Sequence, residues 1–167
     1  MKTQSMRNFG KAAIFSERGK GNAQDCVDWA IDLLSQGHES PNLINLAGLT
    51  PPLDHFEVQD YTRRAIRELG LEVPTGVAGI LAYARDLVED IIDKPSVMGQ
   101  RLRVLCDLHI QENYLKDLYD FYLLSNAYDD LQMYGEQHYW EGAKLSNIRL
   151  IVINVCKTWL GYSHLIG

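Results

Sequence analysis

Apolar residues recur along most of this chain at intervals of three and four, the spacing of one helix face. Val27, Ala30, Ile31 and Leu34, widened by Trp29 and Leu33, predict a helix over 23–36, with Asn22 as its cap and Gly37 as its stop. Ser40-Pro41 predicts a restart, because serine caps and proline suits the first turn. Leu43, Ile44, Leu46, Ala47 and Leu49 supply its buried side, and Thr50-Pro51-Pro52 ends it. Asp54 opens a third helix to about residue 69, with Phe56, Val58, Tyr61, Ala65, Ile66 and Leu69 inward and Arg63, Arg64 and Arg67 outward. Pro74-Thr75 begins a fourth over 74–93, carried by Ile80, Leu81, Ala84, Leu87, Val88, Ile91 and Ile92.

After the Lys94-Pro95-Ser96 break, Leu102, Leu105, Cys106, Leu108 and His109 mark a helix over 96–112. Further helical stretches are expected over 114–124 and 126–134, looser chain over 135–142, and a last helix over 147–160. Ile148, Ile151, Val152, Val155, Cys156 and Trp159 form its inner side. No tight hairpin turn and no alternation of strands with helices is present. The fold class predicted is all-α: a single helical domain over 22–167, an irregular bundle of six to eight helices. Residues 1–21, interrupted by Gly10, Gly19 and Gly21 and carrying Lys2, Arg7, Lys11, Arg18 and Lys20, read as an irregular, solvated N-terminal arm.

At 167 residues, with 46% hydrophobic and 23% charged side chains, the chain can bury a core and is not of disordered composition. Cys26, Cys106 and Cys156 are odd in number and far apart, which fits thiols in a reducing cytoplasm better than a disulfide framework or zinc site. No secretory signal is expected, and the apolar run 150–156 is too short to cross a bilayer, so a cytoplasmic location without membrane contact follows. A net charge of −6 argues against nucleic acid as a direct ligand.

That charge is not spread evenly. Residues 111–142 hold seven carboxylates (Glu112, Asp117, Asp120, Asp129, Asp130, Glu136, Glu141) against one base, Lys116. The same segment holds half of the aromatic residues: Tyr114, Tyr119, Phe121, Tyr122, Tyr128, Tyr134, Tyr139 and Trp140. Part of this aromatic content belongs to a core stripe of Leu115, Leu118, Tyr119 and Tyr122; Phe121 and Tyr128 fall partly off it. The remainder predicts a binding surface, in which Asp117, Asp120, Asp129, Asp130, Glu136 and Glu141 steer a basic partner and Tyr128, Tyr134, Tyr139 and Trp140 anchor it.

Catalytic signals are absent by comparison. Asp129-Asp130, Glu136 and His138 are possible oxygen and nitrogen ligands, but the paired Glu-x-x-His of di-iron bundles is missing. Cys106 and His109 share a helix face, yet leucines flank the cysteine and point it to the core. There is no nucleophile elbow or phosphate loop. No catalytic residue, metal or cofactor is assigned.

The run Trp29-Ala30 through Leu34, Gly37, Ser40-Pro41, Leu43 and Leu46-Ala47-Gly48-Leu49, followed by Phe56, Tyr61, Arg64-Ala65 and Glu68-Leu69-Gly70, resembles a group of small acidic helical bacterial proteins. Asp129-Asp130-Leu131 and Tyr139-Trp140-Glu141-Gly142 with Asn147-Ile148 are similar to it too, so the resemblance spans about residues 23–160. That group looks like the proteins encoded as immunity partners of secreted bacterial toxins. The matched positions are core, cap and turn residues, so the resemblance implies a fold and a partner class and transfers no site residues. The function expected is an immunity-type protein, monomer or homodimer, that binds a basic toxin domain such as a nuclease through the acidic aromatic face. Two alternatives are a helical metalloprotein or enzyme, and a homodimeric helical adaptor.

Overall fold

Three helix starts are written in single residues. Asn22 accepts from the backbone N–H of Gln24 at 2.8 Å, Ser40 Oγ from Leu43 at 3.1 Å, and Asp54 from Glu57 at 2.8 Å. Each satisfies a donor that the first helical turn leaves unpaired. In the computed structural model, which describes residues 6–166 and side chains over 6–161, these caps open α2 (Ala23–Ser35), α3 (Pro41–Ala47) and α4 (His55–Glu68). They are preceded by α1 (Phe9–Arg18) and followed by α5 (Gly76–Asp93), α6 (Met98–Gln111), α7 (Tyr119–Tyr134) and α8 (Ile148–Ile166). Short 3-10 turns at Pro95–Val97 and Lys116–Leu118 lead into α6 and α7, and the described residues contain no strand. The protein is all-α.

The chain divides into two compact units, Met1–Asp86 and Leu87–Gly167, with the boundary inside α5. In the first, α1, α2, α3 and α4 pack on one another around Phe15, Trp29, Leu33, Leu43, Leu46 and Val58, all of them buried. Asn42 ties α3 to α4: its backbone N–H and side-chain amide donate to the Glu68 carboxylate at 2.9–3.2 Å. Those bonds, the backbone one foremost, hold the Glu68 carboxyl below the usual glutamate range.

Residues 9–18 correct the expectation of an irregular arm. They form α1, and Lys11 through Ser16 are buried. The Asn8 side chain does not cap this helix. Asp86, 75 residues beyond Lys11, does: its carboxylate accepts from Lys11 N at 2.9 Å and from Asn8 N at 3.2 Å. At the other end, Gln59 and Arg63 of α4 donate to the Ser16 carbonyl at 3.2 and 3.0 Å. Gly10 sits where a Cβ would lie 2.2 Å from the Ala82 carbonyl oxygen, so the glycine permits close approach to α5. The helix therefore depends on partners distant in sequence. Lys2, counted with the basic arm, lies outside the described residues.

In the second unit α6 and α7 pack side by side. Met98, Leu102, Leu105 and Leu108 of α6 are buried, as are Phe121, Leu124, Ala127 and Leu131 of α7 and Ile148, Val152 and Cys156 of α8. The two stretches expected over 114–124 and 126–134 are one helix, α7, preceded by the 3-10 turn. Among the described residues no helix is long and apolar enough to cross a membrane.

Candidate functional site

The acidic aromatic segment begins where α6 ends and closes before α8. Its first part is a turn built on His109. Asn113 and Tyr114 both adopt left-handed backbone, φ 56° and 58°, and the chain doubles back so that Leu115 N donates to the His109 carbonyl at 3.3 Å. His109 Nδ1 lies 2.8 Å from the Leu115 carbonyl. The buried imidazole then meets three tyrosine rings, Tyr114 and Tyr119 at 5.7 Å and Tyr122 at 5.3 Å between centroids. Tyr119 and Tyr122 stack on each other, 6.1 Å apart and 15° from parallel.

The second part is α7 itself. With 3.6 residues per turn, Tyr119, Tyr122, Asn126, Asp130 and Met133 follow one line opposite the buried Phe121, Leu124 and Leu131. That outer line is aromatic at the start and acidic and apolar towards the end. Phe121, taken from the sequence as partly off the core stripe, is fully buried and meets Trp159 edge-on at 5.6 Å. The core line of α7 runs through Phe121 and not through Tyr119, because the helix starts at residue 119 rather than 114 and its packing face is rotated accordingly.

The third part is the connection 135–147. Gly135, at φ 76°, ends α7 in the left-handed conformation. Gln137 then organises the turn: its carbonyl oxygen accepts from Tyr139 N and Trp140 N, both at 2.8 Å, and its amide donates to Trp140 O at 2.6 Å and Ala143 O at 3.1 Å. Asn147 closes it, accepting from Lys144 N at 2.7 Å and donating to Gly142 O at 3.0 Å.

All ten residues proposed from the sequence reach the surface in some degree. Asp117, Asp120, Tyr134, Glu136, Tyr139 and Glu141 are exposed; Tyr128, Asp129, Asp130 and Trp140 are half-buried. They do not form one spot. Asp117 and Asp120 stand at the start of α7 and the group 134–141 follows its end, about 24 Å away along a 16-residue helix. They form a strip along the length of α7 that also wraps around it, since Asp120 and Asp129, nine residues apart, lie on opposite sides of the helix. Tyr128 is the least suited to anchoring: its ring lies against α6, where a Cβ on Gly99 would come within 2.9 Å. Asp129 faces Arg103 at 3.4 Å, an exposed pair that offsets part of its charge and contributes little stability.

Tyr119, expected on the core stripe, is instead exposed, as is Tyr114. Ile110, Met133 and Leu145, which carry no signal in the sequence, are exposed too, Met133 by 71%. The tyrosine spacing at 119 and 122 signals a shared helix face, but nothing local signals that the chain returns to His109.

For nucleophilic chemistry the site offers little. Cys106 is half-buried, and burial, followed by the charge of Asp107, pushes its thiol up despite a hydrogen bond with Ser125. It therefore stays protonated near neutral pH. Among the described residues no group of three or more His, Cys, Asp or Glu side chains is placed to hold a metal ion. Comparison with protein-family models, with curated proteins and with solved structures finds no match to this chain.

Proposed function

We propose that this is an immunity-type binding protein whose acidic aromatic strip occupies a basic protein domain, with a secreted bacterial toxin domain such as a nuclease as the partner. The observation that carries the reading is a coincidence of two distributions. Of twelve large apolar side chains exposed among the described residues, eight lie between 110 and 150. The same stretch holds the segment with seven carboxylates against one lysine. Exposed aromatic and apolar groups are what a protein interface buries, and fixed carboxylates speed the approach of a basic surface. A nuclease surface is basic because it holds phosphates, so an acidic strip can take the place of nucleic acid there.

The charge pattern weighs against the homodimeric adaptor, because two copies meeting on this strip would set like charges against each other. Co-expression with the protein encoded beside it, followed by purification and an activity assay, tests the proposal. A stable complex in which the partner's toxic activity is suppressed is the expected result. A chain that forms only a dimer through this strip, or that carries stoichiometric metal with activity of its own, overturns it.

A further inference from the structure

We infer that Tyr114 and Tyr119, held on the buried imidazole of His109, form a subsite for an arginine side chain of the basic partner; the inference rests on the partner-binding reading above.

The turn that presents Tyr114 is unfavourable on its own. Asparagine tolerates left-handed backbone, tyrosine does so at a cost, and here the two are consecutive at φ 56° and 58°. The surrounding bonds impose this conformation: Glu112 N to Leu108 O at 2.9 Å, Leu115 N to His109 O at 3.3 Å, and His109 Nδ1 against Leu115 O at 2.8 Å. A tyrosine placed this way for packing would be covered, but Tyr114 is 69% exposed. Its ring nonetheless meets His109 at 74°, close to edge-on. Tyr119, also exposed, is fixed on two sides, by His109 at 5.7 Å and by the parallel ring of Tyr122 at 6.1 Å. Two open aromatic rings thus rest on neighbouring rings, the buried His109 and the half-buried Tyr122, which lowers the ordering cost that binding would otherwise incur. Backbone strain combined with a preorganised exposed group is more often a feature of a recognition site than of a packing site.

The chemistry selects the ligand. Tyrosine faces carry negative potential and attract cations. Asp117 and Asp120, both exposed, flank Tyr119 in the chain, with Lys116 the nearby base. The positive end of α7 offsets part of the aspartate charge, so the ring faces are the main attraction. A planar, weakly hydrated guanidinium stacks on such a face and still directs its N–H groups to a carboxylate. The strongly hydrated ammonium of lysine gains less, and an anion is repelled.

Titration of the full chain with N-acetyl-tetra-arginine amide, followed by NMR, tests this. Shift changes centred on Tyr114, Tyr119 and His109 are expected, and the tetra-citrulline peptide should bind much more weakly. Tyr114→Ala should weaken arginine-peptide binding about two- to fivefold, the contribution of one exposed cation–aromatic contact, while Tyr114→Phe retains it. Equal binding of the citrulline peptide, or unchanged affinity in both Tyr114→Ala and Tyr119→Ala, overturns the subsite. The basic partner gives a separate answer. A complex indifferent to Tyr114→Ala would overturn this inference and leave the partner-binding reading intact. Arginine-peptide binding in a protein that takes no basic partner would do the reverse.

Discussion

The indole N–H of Trp159 donates to the backbone carbonyl of Asp117 at 2.9 Å, joining α8 to the first turn of the acidic strip across 42 residues. The same ring packs edge-on against Phe121 at 5.6 Å. Trp159→Phe keeps much of the ring contact and removes the hydrogen bond. Stability should fall by about 1 kcal/mol, read as an earlier urea midpoint. An unchanged midpoint would show that the bond contributes nothing to holding the turn.

Two glycine-to-alanine changes should act in opposite directions. At Gly10 a Cβ meets the Ala82 carbonyl and the Asp86 carboxylate at 2.2 and 2.7 Å, and backbone cannot yield as a flexible side chain does. Gly10→Ala should cost about 3 kcal/mol, the upper range for overpacking. At Gly161, inside α8, no atom lies within 4 Å of an added Cβ. Gly161→Ala should stabilise by about 0.5–1 kcal/mol through helix propensity. Thermal melts of the two variants check both signs.

Burial pushes the Cys26 and Cys156 thiols up to about 12. A folded pKa raised above the unfolded one favours the protonated thiol in the native state. The resulting stability is full below the ordinary cysteine range and is lost as pH rises from there towards about 12. Alkaline unfolding should therefore be less steep in Cys26→Ala and Cys156→Ala. In the folded wild type at mildly alkaline pH, a thiol reagent should label the half-buried Cys106 before either of them.

Gln137 supports the end of the strip with four hydrogen bonds to the backbone of residues 139, 140 and 143. Gln137→Ala removes all four at once. Amide exchange at Tyr139 and Trp140 should speed up by about tenfold or more, as expected if local opening becomes about 1.4 kcal/mol easier. Hydrogen exchange that stays slow would mean the turn is held by its chain ends alone.

Local signals account for much of this fold. Asn22, Ser40 and Asp54 are caps legible from their neighbours, and α2, α3 and α4 start where those residues place them. The stripes on α5 and α8 are equally local. What escaped the sequence depends on distant partners. α1 lacks a side-chain cap of its own and carries a glycine in its first turn; Asp86 and Ala82 of α5 explain both features, and neither is visible within residues 1–21. The start of α7 was misplaced because Tyr114 and Leu115 continue a helical apolar spacing, whereas the backbone there turns back onto His109. Of the site, the carboxylates and the aromatics after α7 were legible as an unusual local composition. The division of tyrosines into half-buried and exposed was not, since it is decided by where α6 and α8 lie.

The most direct test of the account is the rate at which the basic partner domain associates with the wild type and with the Asp120→Lys, Asp130→Lys double variant, followed by stopped flow across ionic strength. Both changes fall on α7 and spare the buried core. The account predicts association slowed by about tenfold or more at low salt, with a shallower salt dependence and a gap that narrows as salt screens the charges. Equal association rates at every ionic strength would contradict it, and the strip would not be the surface this protein uses.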